Sequence, residues 1–133
     1  MIMKAGTIVI NNDDIALIYR DYYDDYTFPK GHLEEGETLL ECAIRETEEE
    51  CKISVRIIDE NPIYIEEYTD KNNNECKCYY YLAKYNGVSD NKSPEVHELL
   101  WVNYDLVYDK LTFDSSKKLW QSIKEKVREK RND

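Results

Sequence analysis

Glu46, Glu49 and Glu50 follow one another at spacings of three and four residues. On a helix that advances about 100° per residue, Glu49 and Glu50 fall within roughly 60° on either side of Glu46. Like charges so placed repel by about 0.2–0.5 kcal/mol per pair in an isolated helix. A hard divalent cation reverses that penalty, because such ions take oxygen ligands. The chemistry within reach is therefore the binding of a divalent ion, and through it of a polyphosphate that bare carboxylates would repel. A solvated acidic face on a surface helix presents the same three residues, so the triad alone does not decide.

The elements around the triad narrow the choice. Leu40, Ala43, Ile44, Thr47 and Cys51 collect on a neighbouring arc, the stripe that would face a core, while Glu41 and Glu48 point away. Thr38 is placed to cap the helix, with Glu41 at the capping-box spacing. Phe28-Pro29-Lys30-Gly31 opens a tight loop before it, and Gly31 and Gly36 are two of only four glycines. Glycine at these positions allows close backbone approach or a positive φ, which suits a carbonyl that must turn toward a metal. Arg45 follows Glu37 by eight residues, about two helical turns, so an ion pair can tie the loop to the helix if the loop folds back.

Gly31, Glu37, Arg45-Glu46, Glu49-Glu50 and the apolar Ile53 stand at the spacing of the Nudix box, and the chain resembles a Nudix hydrolase. Two positions depart from the pattern. Thr47 stands where the box has an apolar residue, and its methyl can pack. Lys52 replaces a glycine that ends the helix in a left-handed conformation, at a cost of about 1 kcal/mol if that conformation is kept.

The resemblance implies an α/β/α sandwich with a mixed β-sheet and one Nudix domain over residues 1–133. It also implies hydrolysis of a nucleoside diphosphate linked to another group, by water attack on phosphorus with Mg²⁺ or Mn²⁺. By the same resemblance Glu46, Glu49, Glu50 and the backbone carbonyl of Lys30 would hold the metal. Gly31 and Glu37 would be structural, with Arg45 orienting the carboxylates in partnership with Glu37. Glu95, six residues before Trp101, resembles the family's later acidic residue, a further ligand or general base, with Glu98 as its substitute. His32 is placed to hydrogen-bond a phosphate, and His97 is expected to face solvent or pack on its loop.

Tyr26-Thr27-Phe28-Pro29-Lys30-Gly31-His32 is similar to the box entrance of the bis(nucleosyl)-tetraphosphate hydrolases. That similarity implies diadenosine tetraphosphate cleaved to ATP and AMP, with Tyr80 and Phe113 sandwiching an adenine and Lys77 meeting a distal phosphate or lining a strand. Two other readings remain open: hydrolysis of nucleoside triphosphates or RNA 5′ ends, and a Nudix-fold binding module without turnover.

Composition sets the outer bounds. The chain has 133 residues, 41% of them apolar, enough for a single core. A net charge of −10 opposes nonspecific nucleic-acid binding, which needs a basic footprint, and does not exclude the small nucleotide partner that the resemblance implies. No apolar run approaches a membrane span, and the opening MIMKAGTIVI lacks a signal-peptide layout, so a cytoplasmic location is expected. Cys42, Cys51, Cys76 and Cys78 lack zinc-site spacing and are expected as reduced, packed thiols. The basic residues 124–131 are expected to complement a helix C-terminus rather than to meet RNA.

The apolar patterning predicts strands over 4–10 and 15–20 joined by a hairpin turn, then a loop over 21–26 leading to Phe28. Strands are predicted over 53–58, 63–68, 76–85 and 98–102, with a turn at 69–74 and a loop at 86–93. A final amphipathic helix is predicted from Phe113 to about Lys130, carrying Leu119, Trp120, Ile123 and Val127 on one face.

Overall fold

A computed structural model describes residues 1–131; Asn132 and Asp133, the end of the expected domain, lie outside the described residues. The elements follow in chain order as β1 (Ile2–Asn11), β2 (Asp14–Arg20), β3 (Asp25–Thr27), β4 (Lys30–His32), α1 (Leu39–Cys51), β5 (Ile53–Ile57), β6 (Tyr64–Thr69), β7 (Glu75–Val88), β8 (Glu98–Asn103), a 3₁₀ turn at Tyr104–Leu106, α2 (Val107–Lys110) and α3 (Asp114–Lys130). No helix among the described residues is long and apolar enough to cross a membrane.

The strand β1 is the axis of the sheet. It runs parallel to β7 over the register Ile2↔Cys76 to Ile10↔Lys84 and antiparallel to β2 at its far end. Its early residues Lys4–Gly6 also pair with β4, while β8 and β3 flank β2 and β5 and β6 flank β7. The sheet is therefore mixed, as expected. Asn11 pairs with Asp14, which leaves Asn12-Asp13 as a two-residue turn with Asn12 at φ 56°, a conformation asparagine tolerates.

Strand alternation divides the core into two layers. Ile8 and Ile10 of β1 and Cys78, Tyr80 and Leu82 of β7 pack with Leu119, Trp120, Ile123 and Val127 of α3. On the other face Ala5, Val9 and Tyr81 meet the α1 side through Cys42, Ala43 and Cys51. One helix covers each face, giving the α/β/α sandwich. All four cysteines are free and buried, and burial pushes the Cys42, Cys51 and Cys78 thiols up to about 12.

Three expectations need correction. The predicted loop over 21–26 gives way at Asp25 to the strand Asp25–Thr27, and the tight loop opened by Phe28-Pro29-Lys30-Gly31 contains the strand Lys30–His32, three residues each. Too short to show a period, they owe their form to distant partners: Asp25 pairs with Arg20 across β2, and Lys30 with Gly6 across β1. The strand β7 also continues through Val88, three residues into the predicted loop.

The helix ends match the sequence reading. Thr38 and Glu41 form a reciprocal capping box. Lys52 caps the C-terminus at φ 55° and ψ 38°, in the left-handed region. The basic end of α3 is engaged within the fold: Arg128 and Arg131 lie 5.2 and 5.9 Å from the Tyr104 ring centroid, and Arg131 meets Asp13 at 3.1 Å.

Thr47 does more than pack its methyl. Its hydroxyl donates to the Ala43 carbonyl at 2.7 Å, so in the 2.6 Å contact with Thr7 it must accept. This buried pair pins α1 to β1 beneath the carboxylates. Thr47→Val, which orphans the Thr7 hydroxyl, is expected to cost about 1–3 kcal/mol in urea unfolding. Thr7→Val should cost less, since Thr47 keeps Ala43. The double variant should recover most of the loss, and equal, additive losses would contradict this hydrogen-bond assignment.

Candidate active site

The site begins where β4 passes under α1. A Cβ added at Gly31 would sit 2.1 Å from Glu46 Cδ and Oε2, so the absent side chain is the space Glu46 occupies. Gly31 does not adopt a positive φ; its requirement is close approach alone. Gly6 opposes Lys30 in the same crossing, with a built Cβ only 2.2 Å from the Pro29 carbonyl oxygen.

Arg45 organises the acids above this crossing. Its Nε and Nη2 donate to Glu37 at 2.6 and 3.0 Å, which confirms the predicted link between loop and helix. Its Nη1 donates to Glu46 at 2.7 Å and Glu49 at 3.2 Å, and Nη2 also reaches the His32 carbonyl at 2.9 Å. The Arg45 hydrogen bonds hold the Glu37 carboxyl down at about 2. Burial raises the proton affinity of Glu46 against the pull of Arg45.

Glu46, Glu49 and Glu95 converge: a carboxylate oxygen from each lies within 4.8 Å of the others. Three hard oxygen donors with a net negative balance suit a divalent ion of the magnesium or manganese kind. Glu50 belongs to the same cavity but is directed differently. It accepts from the Lys30 backbone N–H at 2.9 Å, and its other oxygen stands 3.6 Å from His97 Nε2. Burial, followed by the charge of Glu46, pushes Glu50 up to about 8. The helical triad of the sequence reading is thus split, and the converging third oxygen comes from the loop before β8. Glu98, the substitute, begins β8 and does not line the cavity.

The cavity measures about 570 Å³ and is lined by Arg45 together with Glu46, Glu49, Glu50 and Glu95. Lys4, Arg20 and Lys30 supply positive charge, and His32 stands exposed at the rim with its proton affinity lowered by partial burial and Lys4. Lys4 and Lys30 both donate to the Tyr68 hydroxyl, at 2.9 and 3.4 Å. Arg20 is held by a bidentate pair with Asp25, 2.7 Å on each arm, and its guanidinium lies over the Tyr23 ring.

Three predicted contacts are not assembled. Tyr80 is only 2% exposed, edge-on to Phe28 in the α3-side core, with no free face for a base. Phe113 is 43% exposed at the start of α3 and does not line the cavity. Lys77 pairs with Glu67 at 3.6 Å, also outside the cavity. The adenine sandwich fails because β7 is apolar on both faces, so its sequence does not say which face Tyr80 takes. The sequence reading also missed Lys4, Arg20 and Tyr23, and expected His97 to face solvent or pack on its loop, where the structure has it lining the cavity 3.6 Å from Glu50. The only available signal was Arg20 five residues before Asp25.

Comparisons with known proteins agree with this fold. The NUDIX domain family model matches residues 2–124. An 8-oxo-(d)GTP phosphatase of Mycolicibacterium smegmatis is 31% identical over 109 residues, 80% of this chain. The match covers 32% of that relative, so the chain spans about a third of its length. Among solved structures, a C. elegans Ap4A hydrolase binary complex has a TM-score of 0.81 at 22% identity, covering 97% of this chain and 99% of that one. A NUDIX hydrolase from Nitrosomonas europaea has a TM-score of 0.80 at 18% identity, covering 95% and 90%.

The Arg45–Glu37 pair gives a pH test. Because the Glu37 carboxyl is depressed from 4.5 to about 2, its contribution to stability is complete above 4.5 and is lost as pH falls through about 2. Glu37→Gln is therefore expected to destabilise the protein at pH 7 and to narrow its difference from wild type between pH 4.5 and 2. Parallel melting-temperature curves for the two proteins would contradict this assignment.

Proposed function

The chain belongs to the NUDIX domain family, and on that premise we propose that it is a divalent-metal-dependent pyrophosphohydrolase of nucleotides. The observation that carries the reading is the convergence of Glu46, Glu49 and Glu95 in a cavity whose other residues include Lys4, Arg20 and Lys30.

Glu46, Glu49 and Glu95, with the Lys30 carbonyl by family likeness, would hold Mg²⁺ or Mn²⁺. The bound ion would screen phosphoryl oxygens and acidify a water. Arg45 keeps Glu46 and Glu49 in fixed orientation, so the donor oxygens need little reorganisation. Lys4, Arg20 and Lys30, with His32 at the rim, would take the negative charge of a phosphate chain. Glu50 is assigned the proton of the attacking water, supported by its fixed hydrogen bond to Lys30 and its separation from the three converging acids. In the reaction a water oxygen bonds to one phosphorus, the anhydride P–O bond breaks, and the leaving phosphate departs with the bridging oxygen.

For the substrate, the Tyr26–His32 entrance favours diadenosine tetraphosphate, cleaved asymmetrically to ATP and AMP. Tyr23, half exposed on the cavity wall with Arg20 and Lys71 4.6 and 4.5 Å from its ring centroid, is the aromatic beside the cavity in place of Tyr80 and Phe113, and a base would meet it by displacing one of these cations. Gripping one end decides which phosphorus is attacked. A second reading, an oxidised or ordinary guanosine triphosphate, is favoured by the printed activity of the M. smegmatis relative.

Hydrolysis in heavy-oxygen water, with product masses read for diadenosine tetraphosphate, GTP and 8-oxo-GTP, tests both levels. ATP and AMP as products, at a kcat/KM about tenfold or more above the triphosphates, is the expected result. A preference for triphosphates establishes the second reading. No turnover of any nucleotide with Mg²⁺ or Mn²⁺ would overturn the hydrolase assignment.

A further inference from the structure

Lys52 sits in a conformation that favours glycine, yet its side chain is not idle. The left-handed cap directs its ammonium across to the segment between β7 and β8, where Nζ donates to the Ser93 carbonyl at 2.5 Å and makes a long contact with Asn91 Oδ1 at 3.5 Å. The Asn91 oxygen also accepts from the Ser93 N–H at 2.8 Å, and Ser93 Oγ accepts from the Glu95 N–H at 3.2 Å. The same segment is fastened to α1 at both ends. Ser89 donates its N–H to the Lys52 carbonyl and its hydroxyl to Glu48, and His97 donates its N–H to the Glu50 carbonyl.

Glu95 stands between these anchors. It is the exposed member of the carboxylate group, it lies on irregular chain, and no ion pair among the described residues holds its side chain. Glu46 and Glu49, by contrast, ride on α1 and are clamped by Arg45. Whatever fixes the segment relative to the C-terminal end of α1 fixes the distance from Glu95 to the two helical acids.

The geometry points to Lys52 as a positioning residue for Glu95, holding the loop carboxylate in register with Glu46 and Glu49 so that the three can share one divalent ion. This rests on the metal-dependent reading above and deepens it. A glycine at this position would end the helix with less strain and could not reach the loop. The strained cap is thus kept for its ammonium, which explains the departure from the box pattern in terms of the site.

The test compares Lys52→Met, which keeps an L-residue backbone and removes the ammonium, with Lys52→Arg, Glu95→Gln and the Lys52→Met/Glu95→Gln pair. Mn²⁺ affinity is measured by electron paramagnetic resonance on the nucleotide-free protein, beside melting temperature, kcat and KM. Lys52→Met is expected to weaken Mn²⁺ binding about tenfold, the lower end of what removing a ligand-orienting partner costs, with kcat reduced and nucleotide KM within about twofold. Arginine should restore most of the affinity. In the Glu95→Gln background the methionine should have no further effect, because the group it positions is gone. Wild-type Mn²⁺ affinity in Lys52→Met, or full additivity with Glu95→Gln, overturns the inference. If Lys52→Met melts too low to titrate, Lys52→Gly, free of the left-handed penalty, carries the same comparison. Failure of the underlying reading is separate: then Glu95→Gln itself leaves Mn²⁺ affinity unchanged.

Discussion

The arrangement depends on one guanidinium among too many carboxylates. Arg45 reaches Glu37, Glu46 and Glu49 and also the His32 carbonyl, so one residue fixes the loop end, the helix face and the start of the cavity. At the 4.8 Å that bounds the three converging oxygens, two unit charges repel by about 3.5 kcal/mol at an effective dielectric near 20, less at the solvent-exposed Glu95. Arg45 brings one positive charge, already shared with Glu37. The site therefore keeps a negative surplus, and the proton affinities of Glu46 and Glu50 are raised first by burial and then by their acidic neighbours.

Two crossings of backbone make the surplus possible. Gly31 vacates the space that Glu46 fills, and Gly6 lets β4 approach β1 closely enough to bring Gly31 there. The Thr7–Thr47 hydrogen bond then holds α1 down on β1. The helix was free to carry acids on its buried side because the sheet beneath it leaves room for them, and this is the link from local sequence to cavity chemistry.

Much of this was legible in the residues. The capping box at Thr38 and Glu41, the Arg45–Glu37 pair and the left-handed Lys52 all depend on partners close along the chain, which spacing encodes directly. What escaped depends on folding at a distance. Glu50 turns to Lys30, away from the other two helical acids, only because β4 is brought to α1 by the sheet, whereas the expected Glu95 does join Glu46 and Glu49. The face taken by Tyr80 is set by its neighbours Cys78 and Leu82, and a strand apolar on both sides carries no period to reveal it. His97 entered the cavity because its N–H is tied to the Glu50 carbonyl, a bond that nothing in the local sequence announces.

The central claim is that the converging carboxylates are a divalent-cation site and not a solvated acidic face. Calorimetric titration of Mn²⁺ into the wild type and Glu49→Gln, with melting temperatures recorded in chelator, tests it most directly. Saturable binding in the wild type, weakened at least about tenfold in a Glu49→Gln variant that is equally stable without metal, is the predicted result. Equal Mn²⁺ affinity in the two proteins would contradict it.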